Sequence, residues 1–252
     1  MPRWDRVPTL EKVLSVVIIV AIWQVLAQFF PPRLIPPVER IVLTLYANAQ
    51  SGDVLHHLGP TVARVYIGFA IALLLGTLTG LVMGLTPHGA RLLEYPILFV
   101  LGIPSLCWSI LGLLWFGLTE AAAVFVIAAI AFPVVVINVH EGVKNVDPAL
   151  TKMAAVYRVP GRRVVSGLYL PSIFPYILSA SRYGLGLSWK IAIIAEMLGM
   201  SSGVGFAIHY YYNLLNMEQV LAWTLLFTGV IVFVDQVVLK GIEGVVMRWR
   251  EA

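Results

Sequence analysis

Long apolar runs separated by short polar segments set the pattern of this chain. The runs are Val13 to Phe30, Val62 to Leu85, Tyr95 to Leu118, Ala121 to His140, Tyr176 to Leu198 and Val220 to Leu239. A helix crossing a bilayer needs about 20 mostly apolar residues. The pattern therefore predicts an all-α, polytopic membrane protein of about six spans, at 13–30, 62–85, 95–118, 121–140, 176–198 and 220–239, in one transmembrane domain over 1–252. The first run follows a basic head, Arg3, Arg6 and Lys12, and ends in Phe29-Phe30-Pro31-Pro32. A cleaved signal peptide would end in small residues, so a retained span is expected. Between 36 and 57, Val38, Ile41, Val42 and Leu45 recur at helical spacing, which predicts an amphipathic helix lying on the outer surface. In the second run Gly68, Ala72, Gly76, Gly80 and Gly84 share one face. Such a stripe lets helices approach closely, here within the subunit.

Composition sharpens this picture. Of 252 residues, 60% are hydrophobic and 12% charged, and the mean hydropathy is +0.89. Soluble domains carry about 25% charged residues, so an ordinary soluble enzyme is excluded. The lone Cys107 rules out an intrachain disulfide. The net charge of +4 matters through its placement. With the N-terminus inside, the cytoplasmic segments hold Arg3, Arg6, Lys12, Arg91, Lys144, Lys152, Arg158, Arg162, Arg163, Lys240, Arg248 and Arg250, against Arg33, Arg40 and Arg64 outside. That bias predicts both termini in the cytoplasm. Metal-ligand spacings, hydrolase elbows and phosphate-binding loops are absent from the sequence, as are basic patches interleaved with aromatics. An enzyme is disfavoured and no nucleic acid is expected as a partner.

The segment 141–175 leaves the membrane. Asp147-Pro148 is a helix start, Ala149 to Tyr157 can form a helix, Val159-Pro160-Gly161 turns the chain, and Arg162 to Tyr169 is predicted as a second short helix stopping at Leu170-Pro171. This loop resembles the signature of the permease subunits of ATP-binding-cassette (ABC) importers, E-A-A, three residues, G, nine residues, I-x-L-P. With its end set at Leu170-Pro171, Leu168 takes the Ile position, Lys152-Met153-Ala154 the E-A-A and Arg158 the Gly. Lys152 and Arg158 depart from the signature. Further, LPSIFPYILSASRYGLGLSWKIAIIAEMLG, IPSLCWSILGLLWFGLTE and FFPPRLIPPVERI resemble segments of the nitrate, sulfonate, taurine and bicarbonate permease group. Leu101-Gly102 and Ile110 replace that group's Arg-Pro and Pro. The departure weighs against nitrate and leaves room for a larger or more apolar solute.

Ionisable groups inside the spans are expensive and mark candidate sites. Lys190, beside Trp189, lies within the fifth run and either holds an anion or pairs with an acid such as Glu196; Arg182 lies nearer the inner end, where snorkelling is expected. Glu196 sits near the outer end, as a gate or a helix contact, and Asp235 is expected to pair with an inner cation. The break at Ile103-Pro104-Ser105, followed by Trp108, can expose backbone to a path. Pro104, Ser105, Trp108, Trp189, Lys190 and Glu196 are thus the candidate path residues. Tyr210, Tyr211 and Tyr212 suit an interfacial belt.

The resemblance implies the rest. Lys152, Met153, Ala154, Ala155, Val156, Tyr157, Arg158, Val159, Pro160 and Gly161 would form the coupling helix and its turn, seated on a cytoplasmic ATPase. The partners implied are two such ATPase subunits carrying ATP and Mg, an extracytoplasmic substrate-binding protein and a second permease copy, in a bacterial-type inner membrane. This chain would bind no cofactor. The expected activity is alternating-access import of a sulfonate-, taurine-, nitrate- or bicarbonate-like anion, or a small aromatic or pyrimidine compound. An ATP-independent channel or secondary transporter is the alternative, disfavoured because no internal repeat is visible.

Overall fold

A computed structural model describes residues 9–239. Arg3, Arg6, Lys240, Arg248 and Arg250 of the orientation argument lie outside the described residues, as does the side chain of Lys12. Within them the chain is helical throughout and contains no strand. The first helix, α1 (Thr9–Phe29), is exposed along most of its length. It meets the start of α2 (Val38–Ser51), where Trp23 Nε1 donates to Pro36 O at 3.0 Å and Gln24 Oε1 accepts from Val38 N at 3.0 Å. α2 is the expected amphipathic helix. Gly52, at φ 86°, separates it from α3 (Asp53–Leu85).

The next helices form the centre. They are α3, α6 (Glu120–Lys144) and α9 (Leu170–Gly199), and α6 is buried along one side from Ala122 to Val143. The stripe on α3 explains the fit. A methyl group built on Gly68, Gly76 or Gly80 would come within 2.7–2.8 Å of Ile127, Val135 or Val139, so the bare backbone is what lets β-branched side chains of α6 close on α3. The stripe packs inside the subunit, as the sequence reading expects.

Two predicted boundaries differ. The third span is not one straight helix: α4 (Pro87–Gly102) and α5 (Ser105–Phe116) meet at a 96° bend. The second short helix predicted to stop at Leu170-Pro171 does not stop. From Gly161 to Gly199 the chain forms one helical rod of 39 residues, comprising α8 (Gly161–Val164), a π-helical turn (Val165–Tyr169) and α9. The wide turn before Pro171 accommodates a ring that would otherwise clash with the preceding carbonyls. α7 (Pro148–Val156) precedes this rod, and α10 (Val204–Asn213) and α11 (Met217–Phe233) follow it, the last continuing as a π turn (Val234–Leu239).

Among the described residues, four helices are long and apolar enough to cross a membrane, and the bent pair makes a fifth. The apolar part of α1, Val13–Phe29, is shorter, at the lower limit of about 17 residues for a span. The chain is a multi-pass membrane protein. We call the α7 end, with Lys144, Lys152, Arg158, Arg162 and Arg163, the basic end.

Replacing Gly80 with Val tests the central seam. Melting in detergent is expected to fall by several degrees, through overpacking of about 1–3 kcal/mol, whereas Gly229→Ala, where nothing lies within 4 Å, leaves the midpoint unchanged.

Candidate functional site

At the basic end the loop is a capped helix that nothing among the described residues covers. Pro148 occupies the first turn of α7, and Asp147 Oδ1 accepts from Ala149 N at 2.8 Å. No residue of α7 is buried. Leu150, Met153, Val156, Tyr157 and Val159 are exposed, Val156 at 79% and Tyr157 at 77%, next to the cations Lys152 and Arg158. The helix closes with a paired hydrogen-bond cap: Arg158 N donates to Ala155 O at 3.0 Å and Val159 N to Ala154 O at 2.9 Å. Arg158 has φ 49°, in the left-handed region that glycine adopts most readily. It occupies the position where the signature has Gly, a residue that this φ suits. Pro160 and Gly161 then start the rod. Leu168, at the signature's Ile position, packs with Val143, Val146 and Ile173 and ties the loop to the bundle.

At the opposite end lies a buried charge cluster. Arg64, 2% exposed, donates from Nη1 to Glu196 Oε1 at 2.7 Å and from Nη2 to Glu120 Oε1 at 2.6 Å, while its Nε meets the other oxygen of Glu120. It also donates to Ser202 O and Ser202 Oγ, both at 2.8 Å. Glu196 is fully buried and accepts in addition from Thr61 Oγ1 at 3.0 Å and Gly205 N at 2.9 Å. Val204 N donates to Thr61 Oγ1 at 2.9 Å and Gly203 N to His57 Nδ1 at 3.3 Å. α3, α6, α9 and the α9–α10 turn are thus joined through one guanidinium. Gly203 allows it: at φ 112°, a Cβ there would sit 2.3 Å from the Glu196 carboxyl carbon. The sequence reading placed Arg64 among outer-loop cations, and it is instead a buried residue of α3. The missed signal was its spacing, seven residues after His57 and within the helical phase of Gly68.

The six predicted path residues do not come together. Glu196 pairs with Arg64 and not with Lys190. Trp189 is 1% exposed, its ring between Tyr66 (6.1 Å) and Phe227 (5.8 Å), so it belongs to the core rather than a path. At the break Pro104 has no N–H to give Val100 O, and Trp108 Nε1 donates to that carbonyl instead, at 3.3 Å. The bend is thereby satisfied from within, and Trp108 packs on Phe125 at 6.0 Å. Ser105 O accepts from Ser109 Oγ at 3.1 Å. Lys190 is exposed on another face of α9 and lines a cavity of about 480 Å³ with Ser179, Arg182, Tyr183, Gly186, Leu187, Ile231 and Asp235. There Arg182 does not snorkel. Its Nε and Nη2 donate to the two oxygens of Asp235 at 3.1 and 3.2 Å, the inner pairing expected for that aspartate.

A bundle of bilayer-length helices with a broken span, a cavity lined in part by charged side chains and a capped, exposed helix at the basic end has the build of a transport permease. Residues 72–243 match the family of binding-protein-dependent transport system inner membrane components, and the chain belongs to that family. A Bacillus subtilis permease protein named for aliphatic sulfonates transport is 30% identical, over 100% of this chain and 91% of its own length. The taurine transport system permease protein of Escherichia coli is 25% identical over 94% and 88%. The nitrate import permease protein of Synechococcus elongatus is 27% identical over 82% and 77%. The chain is an ABC importer permease of this group.

Removing one partner of a buried pair leaves an uncompensated charge, at about 3–5 kcal/mol. Arg64→Met is therefore expected to lower the melting temperature sharply, and Arg64→Met combined with Glu196→Met to recover much of the loss. Thermal unfolding in detergent, monitored by Trp fluorescence, reads both.

Proposed function

We propose that two copies of this chain form the membrane pathway of an ATP-driven, binding-protein-dependent importer for a small anion of the sulfonate and taurine kind. The relatives' names support the substrate class, and the departures at Leu101-Gly102 and Ile110 favour an organic anion over nitrate. The observation that carries the coupling role is the α7 cap. An apolar, cation-flanked helix end is exposed, and its turn puts Arg158, at the signature's Gly position, in the left-handed conformation that glycine suits.

In this reading each α7, from Lys152 to Gly161, seats on one cytoplasmic ATPase subunit, and the two ATPases hold the ATP and Mg. The orientation follows with both termini in the cytoplasm of a bacterial-type cell and α10 facing the extracytoplasmic binding protein. ATP binding closes the ATPases, α7 moves with them, and the rod beginning at Gly161 carries that motion through the membrane. The spans then open toward the binding protein in alternating access. The chain itself hydrolyses nothing.

The complex isolated with its ATPase, reconstituted in lipid, tests this. Loaded binding protein is expected to stimulate ATP hydrolysis, and the solute that loads it names the substrate. No copurifying ATPase would overturn the reading. Arg158 separates charge from backbone: Arg158→Gly, which suits the left-handed turn, keeps coupled uptake, whereas Arg158→Glu hydrolyses ATP with uptake reduced more than tenfold. Coupled uptake at the wild-type level in Arg158→Glu would show that the cation plays no part in coupling.

A further inference from the structure

The face of α9 that carries Lys190 is polar where a lipid-facing helix would be apolar. Ser179, Tyr183 and Lys190 are exposed, Tyr183 at 66%, and Gly186 presents bare backbone with nothing within 4 Å of an added methyl. These positions are spaced by three or four residues, so they form one stripe. The stripe lies inside a helix that qualifies as a membrane span. Lys190 is nine residues before the end of α9, about 13 Å along the axis, deep enough that hydrocarbon around an ammonium would be costly.

Arg182 and Asp235, which line the same cavity, pair with each other. Glu196, the nearest acid along α9, is spent on Arg64. Among the described residues no carboxylate makes an ion pair with Lys190. Lys190 thus brings to the cavity an ammonium on a flexible stem with three donors, and among the described residues no acid is paired with it. Tyr183 stands seven residues earlier on the same stripe, and Leu187 and Ile231 give an apolar wall. At about 480 Å³ the space exceeds the needs of a triatomic or tetra-atomic ion.

From this we infer that Lys190, with Tyr183, forms a binding site for the oxyanion head of an organic anion, whose carbon body lies along Leu187, Ile231 and the Tyr183 ring. The inference rests on the importer reading for its physiological role. Arg182, held by Asp235, positions the cavity wall and leaves the ligand to Lys190.

The test uses the whole chain in nanodiscs of phosphatidylcholine, with radiolabelled butanesulfonate as probe. Saturable binding is expected, competed by methanesulfonate and more weakly by nitrate, and not by the neutral butanesulfonamide. Lys190→Met is expected to weaken it more than tenfold and Lys190→Arg less than threefold, with both variants melting near the wild type. Equal binding by Lys190→Met, equal competition by the sulfonamide, or no saturable binding in the wild type would each overturn the site. The wild-type comparison with the sulfonamide decides the matter even where Lys190→Met fails to fold. ATP hydrolysis by the assembled complex separates the two claims. Stimulation by loaded binding protein without butanesulfonate binding leaves the importer and removes the site, while binding without stimulation keeps the site and removes the importer.

Discussion

A guanidinium cannot be left alone in a membrane protein's interior, and the arrangement at the end opposite α7 follows from that constraint. Arg64 brings a full charge into a space with 2% exposure. Its five donors are taken by two carboxylates and by Ser202, which come from α6, α9 and the turn beyond α9. Each of those elements is held where the arginine needs it. Glu196 is held in turn by Thr61 and the Gly205 amide. The fully buried member of the carboxylate pair is thus also the one with additional neutral donors, as a desolvated charge requires.

The same constraint sorts the remaining intramembrane charges. Arg182 finds Asp235 across the packing of α9 and the π turn after α11. Lys190 finds no such acid and faces a cavity. The seam between α3 and α6 needs no charge at all, because Gly68, Gly76 and Gly80 on α3 admit Ile127, Val135 and Val139. Dispersion contacts and close backbone approach hold the middle of the bundle. Paired charges hold its far end.

Much of the architecture was legible in the apolar runs, because bilayer thickness imposes a length that sequence alone displays. The small-residue stripe, the amphipathic α2 and the Asp147-Pro148 helix start were readable for a similar reason: each is a local pattern with one physical meaning. Three features were not. Arg64 lies at the polar edge of an apolar run; its helical phase with Gly68 places it on the inward face, but its partners Glu120 and Glu196 are 56 and 132 residues away in the chain. Pro171 reads as a helix stop, yet a π turn just before it carries the helix through. Trp189 beside Lys190 suggests a shared site, but neighbours in a helix point about 100° apart, and one faces the core while the other faces out.

The uninterrupted helix from Gly161 to Gly199 has a mechanical consequence. At 1.5 Å per residue it is a beam about 58 Å long, with its near end at the cap of α7 and its far end beside the Glu196 carboxylate. A rod of that length converts rotation into displacement in proportion to it: a tilt of about 5° about one end sweeps the other through about 5 Å. That is roughly one helical turn, enough to exchange one set of side-chain contacts for the next. Had Leu170-Pro171 ended the helix, the lever would have been divided at that joint, and each shorter piece would sweep less for the same tilt.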